Sequence, residues 1–215
     1  MKTGILFDLD GTLLDTLEDL LDATNYALAQ GGYPARTLPE LRRFVGNGAE
    51  NQMRLSLPEG ASKETIANTL AIYKPYYAAH CQIKTKPYEG IMETLAELKG
   101  KYPIAIVSNK PDVAVKELCA QYFPGIYALG ETADCPRKPA PDMVFKAMKA
   151  IGVESCIYVG DSEVDVLTAK NAGVPCLSVL WGFRDQADME AVGATHYCQT
   201  TSLLAEKIEE MIHVK

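Results

Sequence analysis

The chain has 215 residues, of which 47% are hydrophobic and 23% charged, enough for one full core with a modest second unit. Its formal net charge of −7 argues against a nucleic-acid binder, which needs a basic face, and against docking on anionic membrane surfaces. A small anion held at a locally positive site remains open. The six cysteines (81, 119, 135, 156, 176 and 198) form no CxxC pair and only three histidines accompany them, the pattern of reduced thiols rather than of a zinc site or a disulfide framework.

In chain order, the first element is the apolar run "ILFDL" at 5–9, a strand whose end carries Asp8 and, one residue further, Asp10. These acids interrupt the N-terminal region before any apolar segment reaches signal-peptide length, and no run approaches the roughly 18 residues of a spanning helix. The expectation is a cytoplasmic protein without a membrane partner. From about Asp15 to Thr85 no strand stands out. Leu17, Leu20, Leu21, Thr24 and Leu28 form a helical stripe ended by "GGYP", and Ile66, Leu70, Tyr73 and Tyr77 form another with Pro75 as a kink point. Further β-rich runs follow at 104–108, 126–130, 156–160 and 176–180. Helical segments lie between them at 111–122, 141–152 and 162–173, the last two ending in Gly152 and Gly173. Continuous apolar strands alternating with helices predict a parallel sheet covered on both faces. The expected architecture is an α/β core of residues 1–14 and 86–215, with a largely helical insertion over 15–85.

In an open parallel sheet, ligands gather at the carboxyl ends of the strands. Here those ends carry Asp8 and Asp10, Ser108 and Asn109, and Asp161. Each has an ordinary reading of its own. "DLDGT" is equally a turn, because Asp-Gly is a favoured turn pair. As an EF-hand loop it fails, since Gly11 falls fourth rather than sixth from Asp8 and Asp19 stands where a bidentate Glu belongs. Ser108 alone reads as a polar strand end, and Lys138 as a loop lysine in a stretch stiffened by Pro139 and Pro141. Asp161 suits a helix N-terminus, and Ser162-x-x-Asp165 fits a capping box. Together they make chemical sense. Three or four carboxylates at one sheet edge need a cation, and an all-oxygen set suits Mg²⁺ better than zinc. Lys138 and the Ser108 hydroxyl would then favour a phosphate beside it, with Asp8 as a carboxylate nucleophile and Asp10 as general acid and then base.

Four segments in order, "FDLDGTLLDT", "VSNK", "RKPAPD" and "VGDSEVD", strongly resemble the motifs of the haloacid dehalogenase superfamily, nearest its phosphoglycolate phosphatase-like subfamily. The resemblance implies a doubly wound, Rossmann-like core with the helical insertion as a small mobile cap. It implies that Asp8 forms an aspartyl-phosphate, and that Asp10 protonates the leaving alkoxide and then activates water. Mg²⁺ would be held by Asp8, the Asp10 backbone carbonyl and Asp161, with Asp165 helping directly or through water. Ser108, Asn109 and Lys138 would bind the phosphoryl group, joined by backbone N–H groups near Leu9 and Asp10.

"FVGNGAENQ" and "VLWGFRD" also resemble the subfamily. The cap loop of Gly46, Asn47 and Gly48 would help select the leaving group, beside its plain reading as an interhelical turn; Trp181 is expected to pack rather than touch substrate. A dehalogenase proper lacks the second acid, so Asp10 favours a phosphatase. The implied activity is Mg²⁺-dependent hydrolysis of a small phosphorylated metabolite, 2-phosphoglycolate first and pyrophosphate as the alternative. A β-phosphoglucomutase-type mutase is disfavoured, because the first cap helix has Leu20 and Leu21 and no histidine. Retention of Asp8 and Asp10 counts against a non-catalytic phosphate sensor. The expected assembly is a monomer or homodimer, with no nucleic-acid partner.

Overall fold

Eight strands, ten α-helices and a short 3-10 helix (Thr201–Leu203) occupy the described part of the chain, residues 2–213 of a computed structural model. The strands are β1 (Thr3–Phe7), β2 (Leu14–Asp15), β3 (Lys86–Pro87), β4 (Ile104–Pro111), β5 (Tyr127–Glu131), β6 (Ser155–Gly160), β7 (Cys176–Val179) and β8 (Tyr197–Cys198). Six of them form one parallel sheet in the order β5-β4-β1-β6-β7-β8. Register aligns Ile5 with Ile104 on one side of β1 and with Ile157 on the other. The chain leaves β1 to build outward first through β4 and β5 and then through β6, β7 and β8, so the winding direction reverses at β1. Such a switch point opens a crevice beyond the strand ends.

The central strands are buried along nearly their whole length, which explains their continuous apolar runs. The helices of this part are α5 (Ile91–Lys99), α6 (Asp112–Tyr122), α7 (Asp142–Ile151), α8 (Glu163–Ala172), α9 (Gln186–Glu190) and α10 (Leu204–His213). α7 and α8 pack side by side over a core cluster that includes Leu6, Val107, Leu129, Met143, Val144 and Tyr158. α10 packs on α5 and β6. The result is the covered parallel sheet expected from the strand–helix alternation, doubly wound as the family resemblance implied. No described helix is long and apolar enough to cross a membrane.

The chain separates into two compact units: the sheet unit, running up to Leu14 and again from Pro87, and a helical unit, Asp15–Lys86. The helical unit holds α1 (Leu17–Gln30), α2 (Leu38–Phe44), α3 (Gly48–Ser56) and α4 (Lys63–His80). α1 turns Leu17, Leu20, Ala23, Thr24, Ala27 and Leu28 inward, and α4 contributes Tyr73 and Tyr77. Pro75 lies on the exposed side of α4, and the helix runs on through it to His80. Within this unit Asp19 is buried and accepts hydrogen bonds from the backbone N–H groups of Lys84, at 3.0 Å, and Thr85, at 2.8 Å.

Candidate active site

β1 stops at Phe7, so Asp8 is the first residue beyond the strand; its backbone N–H still donates to the Val159 carbonyl of β6 at 2.8 Å. β6 stops at Gly160, which sets Asp161 at the same level. The loop between β5 and α7 brings in Lys138, whose side chain is only 2% exposed. Its Nζ lies 2.8 Å from Asp8 Oδ1 and 2.7 Å from Asp165 Oδ1. Asp165, in the first turn of α8, is fully engaged. Oδ1 accepts from Lys138 and from the Tyr158 hydroxyl at 3.3 Å, and Oδ2 accepts from the N–H and hydroxyl of Ser162 at 3.1 and 2.7 Å. The carboxylate half of the anticipated capping box thus exists, and the same side chain anchors Lys138.

Ser108 and Asn109 are buried where β4 passes the switch point. The Ser108 oxygen accepts the Lys110 N–H at 3.3 Å. Asn109 pairs both ways with the backbone of Lys138, accepting its N–H at 2.8 Å and donating to its carbonyl at 3.0 Å. Its amide therefore fastens the lysine loop to β4. Asp10, farther out, lies with Oδ2 2.8 Å from Lys110 Nζ. Gly46, Asn47 and Gly48 belong to the helical unit. There Gly46 and Asn47 lie in the turn after α2 and Gly48 opens α3, with both glycines at positive φ (106° and 78°), a conformation that L side chains resist.

The charges at this edge do not balance. Asp8, Asp161 and Asp165 bring ligand oxygens within 4.8 Å of one another, all in buried positions. Lys138 offsets one of them, which leaves two negative charges uncompensated. Burial pushes the Asp8 carboxyl well above the usual carboxylate range, with Asp165 and Asp161 adding to the rise and Lys138 opposing it. Burial and then Asp165 push Asp161 up to about 7, against the Phe183 N–H and the Thr12 hydroxyl. For Lys138, burial works against the ammonium, but Asp165 and Asp8 outweigh it and hold the group well above the ordinary lysine value. An excess of two negative charges on hard oxygen donors is what one divalent cation neutralises. Both oxygens of Asp165 already accept hydrogen bonds from Lys138, Tyr158 and Ser162, so an ion here would share that carboxylate with its present donors.

A second layer of residues went unassigned in the motifs. Thr12 donates its hydroxyl to Asp161 Oδ1 at 3.1 Å, and the Phe183 N–H donates to Oδ2 at 2.7 Å. Trp181, half-buried, donates its indole N–H to the Thr12 carbonyl at 3.0 Å. These contacts press the loop after β7 onto the site so closely that a Cβ on Gly182 would fall on the Asp161 side chain and the Gly11 carbonyl. Gly182→Ala is therefore expected to displace the Asp161 carboxylate and lower kcat/KM by about 10²-fold, the usual scale for an ångström of misplacement. Steady-state kinetics over a divalent-cation titration check this; wild-type kcat/KM at every cation concentration would contradict it.

The sequence profile of the haloacid dehalogenase-like hydrolases matches residues 5–179. Phosphoglycolate phosphatase 1 of Pseudomonas aeruginosa is 34% identical over 190 residues, covering 83% of this chain and 70% of that protein. The phosphoglycolate phosphatase of Mesorhizobium japonicum is 31% identical over 218 residues, 95% of each chain. The crystal structure of a candidate phosphoglycolate phosphatase from Lactobacillus delbrueckii subsp. bulgaricus superposes with a TM-score of 0.91 at 38% identity, over 97% of this chain and 99% of that one. The chain belongs to the haloacid dehalogenase-like hydrolases. Within them it is phosphoglycolate phosphatase-like, and its hydrolytic chemistry is that of a phosphatase.

Proposed function

We propose that this chain is a Mg²⁺-dependent phosphatase for small phosphorylated carboxylates, with 2-phosphoglycolate as the leading substrate, working through an aspartyl-phosphate on Asp8. The observation that carries the reading is the buried Asp8–Lys138–Asp165 array beside Asp161, with its two uncompensated negative charges. Asp8, Asp161 and the Asp10 backbone carbonyl would hold the Mg²⁺, with Asp165 beside them. The ion would supply the charge that lets a phosphate dianion approach carboxylates.

Asp8 attacks phosphorus and the bond to the ester oxygen breaks. Asp10 gives its proton to the departing alkoxide. Asp10 then takes a proton from the water that attacks the aspartyl-phosphate, releasing inorganic phosphate and restoring Asp8. Lys138 and the Ser108 hydroxyl steady the phosphoryl oxygens, while Asn109 holds the Lys138 loop in place. The helical unit is assigned the role of cap, with Gly46, Asn47 and Gly48 selecting the leaving group. The names of the relatives at 31–34% identity support phosphoglycolate as the first substrate to test.

A panel containing 2-phosphoglycolate, pyrophosphate, a sugar phosphate and an aryl phosphate, ranked by kcat/KM, tests the reading. Phosphoglycolate is expected to lead, and EDTA to stop turnover until Mg²⁺ is restored. Pyrophosphate in first place would overturn the substrate assignment. Undiminished turnover in EDTA would overturn the metal.

A further inference from the structure

Lys110 ends the second motif segment and has no part in the chemistry so far described. Its side chain is 2% exposed, as little as that of Lys138. It stands two residues past Ser108, its own N–H on the Ser108 oxygen, so the backbone that presents the phosphate-binding hydroxyl also sets the lysine. Its Nζ reaches Asp10 Oδ2 at 2.8 Å. The other oxygen of the same carboxylate, Oδ1, is buried and accepts no hydrogen bond among the described residues. A buried carboxylate oxygen without a donor is uncommon in folded proteins and calls for a reason.

The two oxygens of Asp10 are thus employed differently: one is fastened and the other is left without a partner. A carboxylate on a short side chain has two soft torsions, and a single charge-assisted contact at Oδ2 fixes where Oδ1 lies. We propose that Lys110 is the positioning residue of the acid–base step, holding Asp10 by Oδ2 so that Oδ1 carries the proton to the leaving oxygen and later receives one from water. The proposal rests on Asp10 being the general acid, as argued under Proposed function. It adds which oxygen acts and what aims it.

The consequence is a dependence on the leaving group. An alkoxide must be protonated as it departs, whereas 4-nitrophenolate leaves as a stable anion and needs little help. Misaiming the acid therefore harms an alkyl phosphate more than an aryl phosphate, while general loosening of the site harms both alike. The test measures kcat/KM for 2-phosphoglycolate and 4-nitrophenyl phosphate, with Mg²⁺, in wild type, Asp10→Asn, Lys110→Met and Lys110→Arg. Asp10→Asn is expected to lower the alkyl-to-aryl ratio by about 10²-fold. Lys110→Met is expected to lower it in the same sense by about tenfold, a fraction of the full acid–base contribution, and Lys110→Arg to restore part of it.

Aryl phosphate turnover retained in Lys110→Met also certifies the fold; should that variant not fold, Lys110→Gln, which keeps a polar head of similar reach, is read in its place. An unchanged ratio in the Lys110 variants, with a lowered ratio in Asp10→Asn, overturns the positioning role alone. An unchanged ratio in Asp10→Asn overturns the acid assignment beneath it, and the Lys110 proposal falls with it.

Discussion

Asp8→Asn is expected to abolish phosphate release, by on the order of 10⁴-fold or more, as loss of a nucleophile does, while leaving the metal-free protein at least as stable as wild type. The second half distinguishes this site from an ordinary buried ion pair. Burial first, and then Asp165 and Asp161, raise the Asp8 carboxyl well above its usual range, so its ionised form is unfavourable in the fold. Asparagine keeps the shape and removes the charge, and Lys138 still has Asp165 at 2.7 Å.

The sign follows from proton linkage. A carboxyl whose folded value is raised binds more protons in the native state than in the unfolded chain. Its stabilising contribution is complete below the ordinary carboxylate value and is lost as pH rises through the raised one. Metal-free wild type should therefore lose stability across a window from about 4 upward, through the Asp161 value of about 7. Asp8→Asn should lose less. Thermal melts in EDTA between pH 5 and 8, with and without the substitution, check this. A variant that melts well below wild type at pH 8 would show that the Asp8–Lys138 pair stabilises the fold, contrary to the charge count.

Lys138→Met should do the opposite on stability. Methionine matches the buried volume, but the change strips the ammonium from between two carboxylates at 2.8 and 2.7 Å. Removing one partner of a buried ionic cluster typically costs about 3–5 kcal/mol, which for a protein of this size lowers Tm by roughly 10 °C. Added Mg²⁺ should recover part of the loss, because it supplies charge to the same carboxylates. Activity should fall by about 10²-fold or more even with saturating Mg²⁺, since the developing phosphoryl charge loses a fixed donor. Melting curves with and without Mg²⁺ beside kcat/KM separate the two effects. Wild-type stability in EDTA would show that Lys138 is not the counter-charge of the cluster.

How much of this was legible in the sequence varied with how local its cause is. Burial on both faces turns β4 and β6 into uninterrupted apolar runs, and these were placed to within a few residues. The ends of α7 and α8 were equally legible, because Gly152 and Gly173 adopt the left-handed conformation that stops a helix. α2 and α3 were not, since α2 buries only Leu41 and α3 only Gln52, Met53 and Ser56, too little for a stripe. The polar residues at the strand ends could be named from their motifs, but not their partners. Ser162 beside Asp165 was readable as a capping box, but that Asp165 also holds Lys138, or that Asn109 grips the Lys138 backbone, depends on residues 27 to 29 positions apart meeting in space. Lys110 was visible inside "VSNK", yet nothing in one dimension ties it to Asp10.

Asp19 carries a consequence for the history of such a chain. By gripping the backbone of Lys84 and Thr85 from the first turn of α1, it brings the beginning and the end of the helical unit together. To the sheet unit, the insertion therefore behaves as a short loop whatever its length, and the entropy of closing it is met inside the inserted piece. A unit that fastens its own two ends can be lengthened, rebuilt or exchanged at little entropic cost to the strand that Asp8 follows.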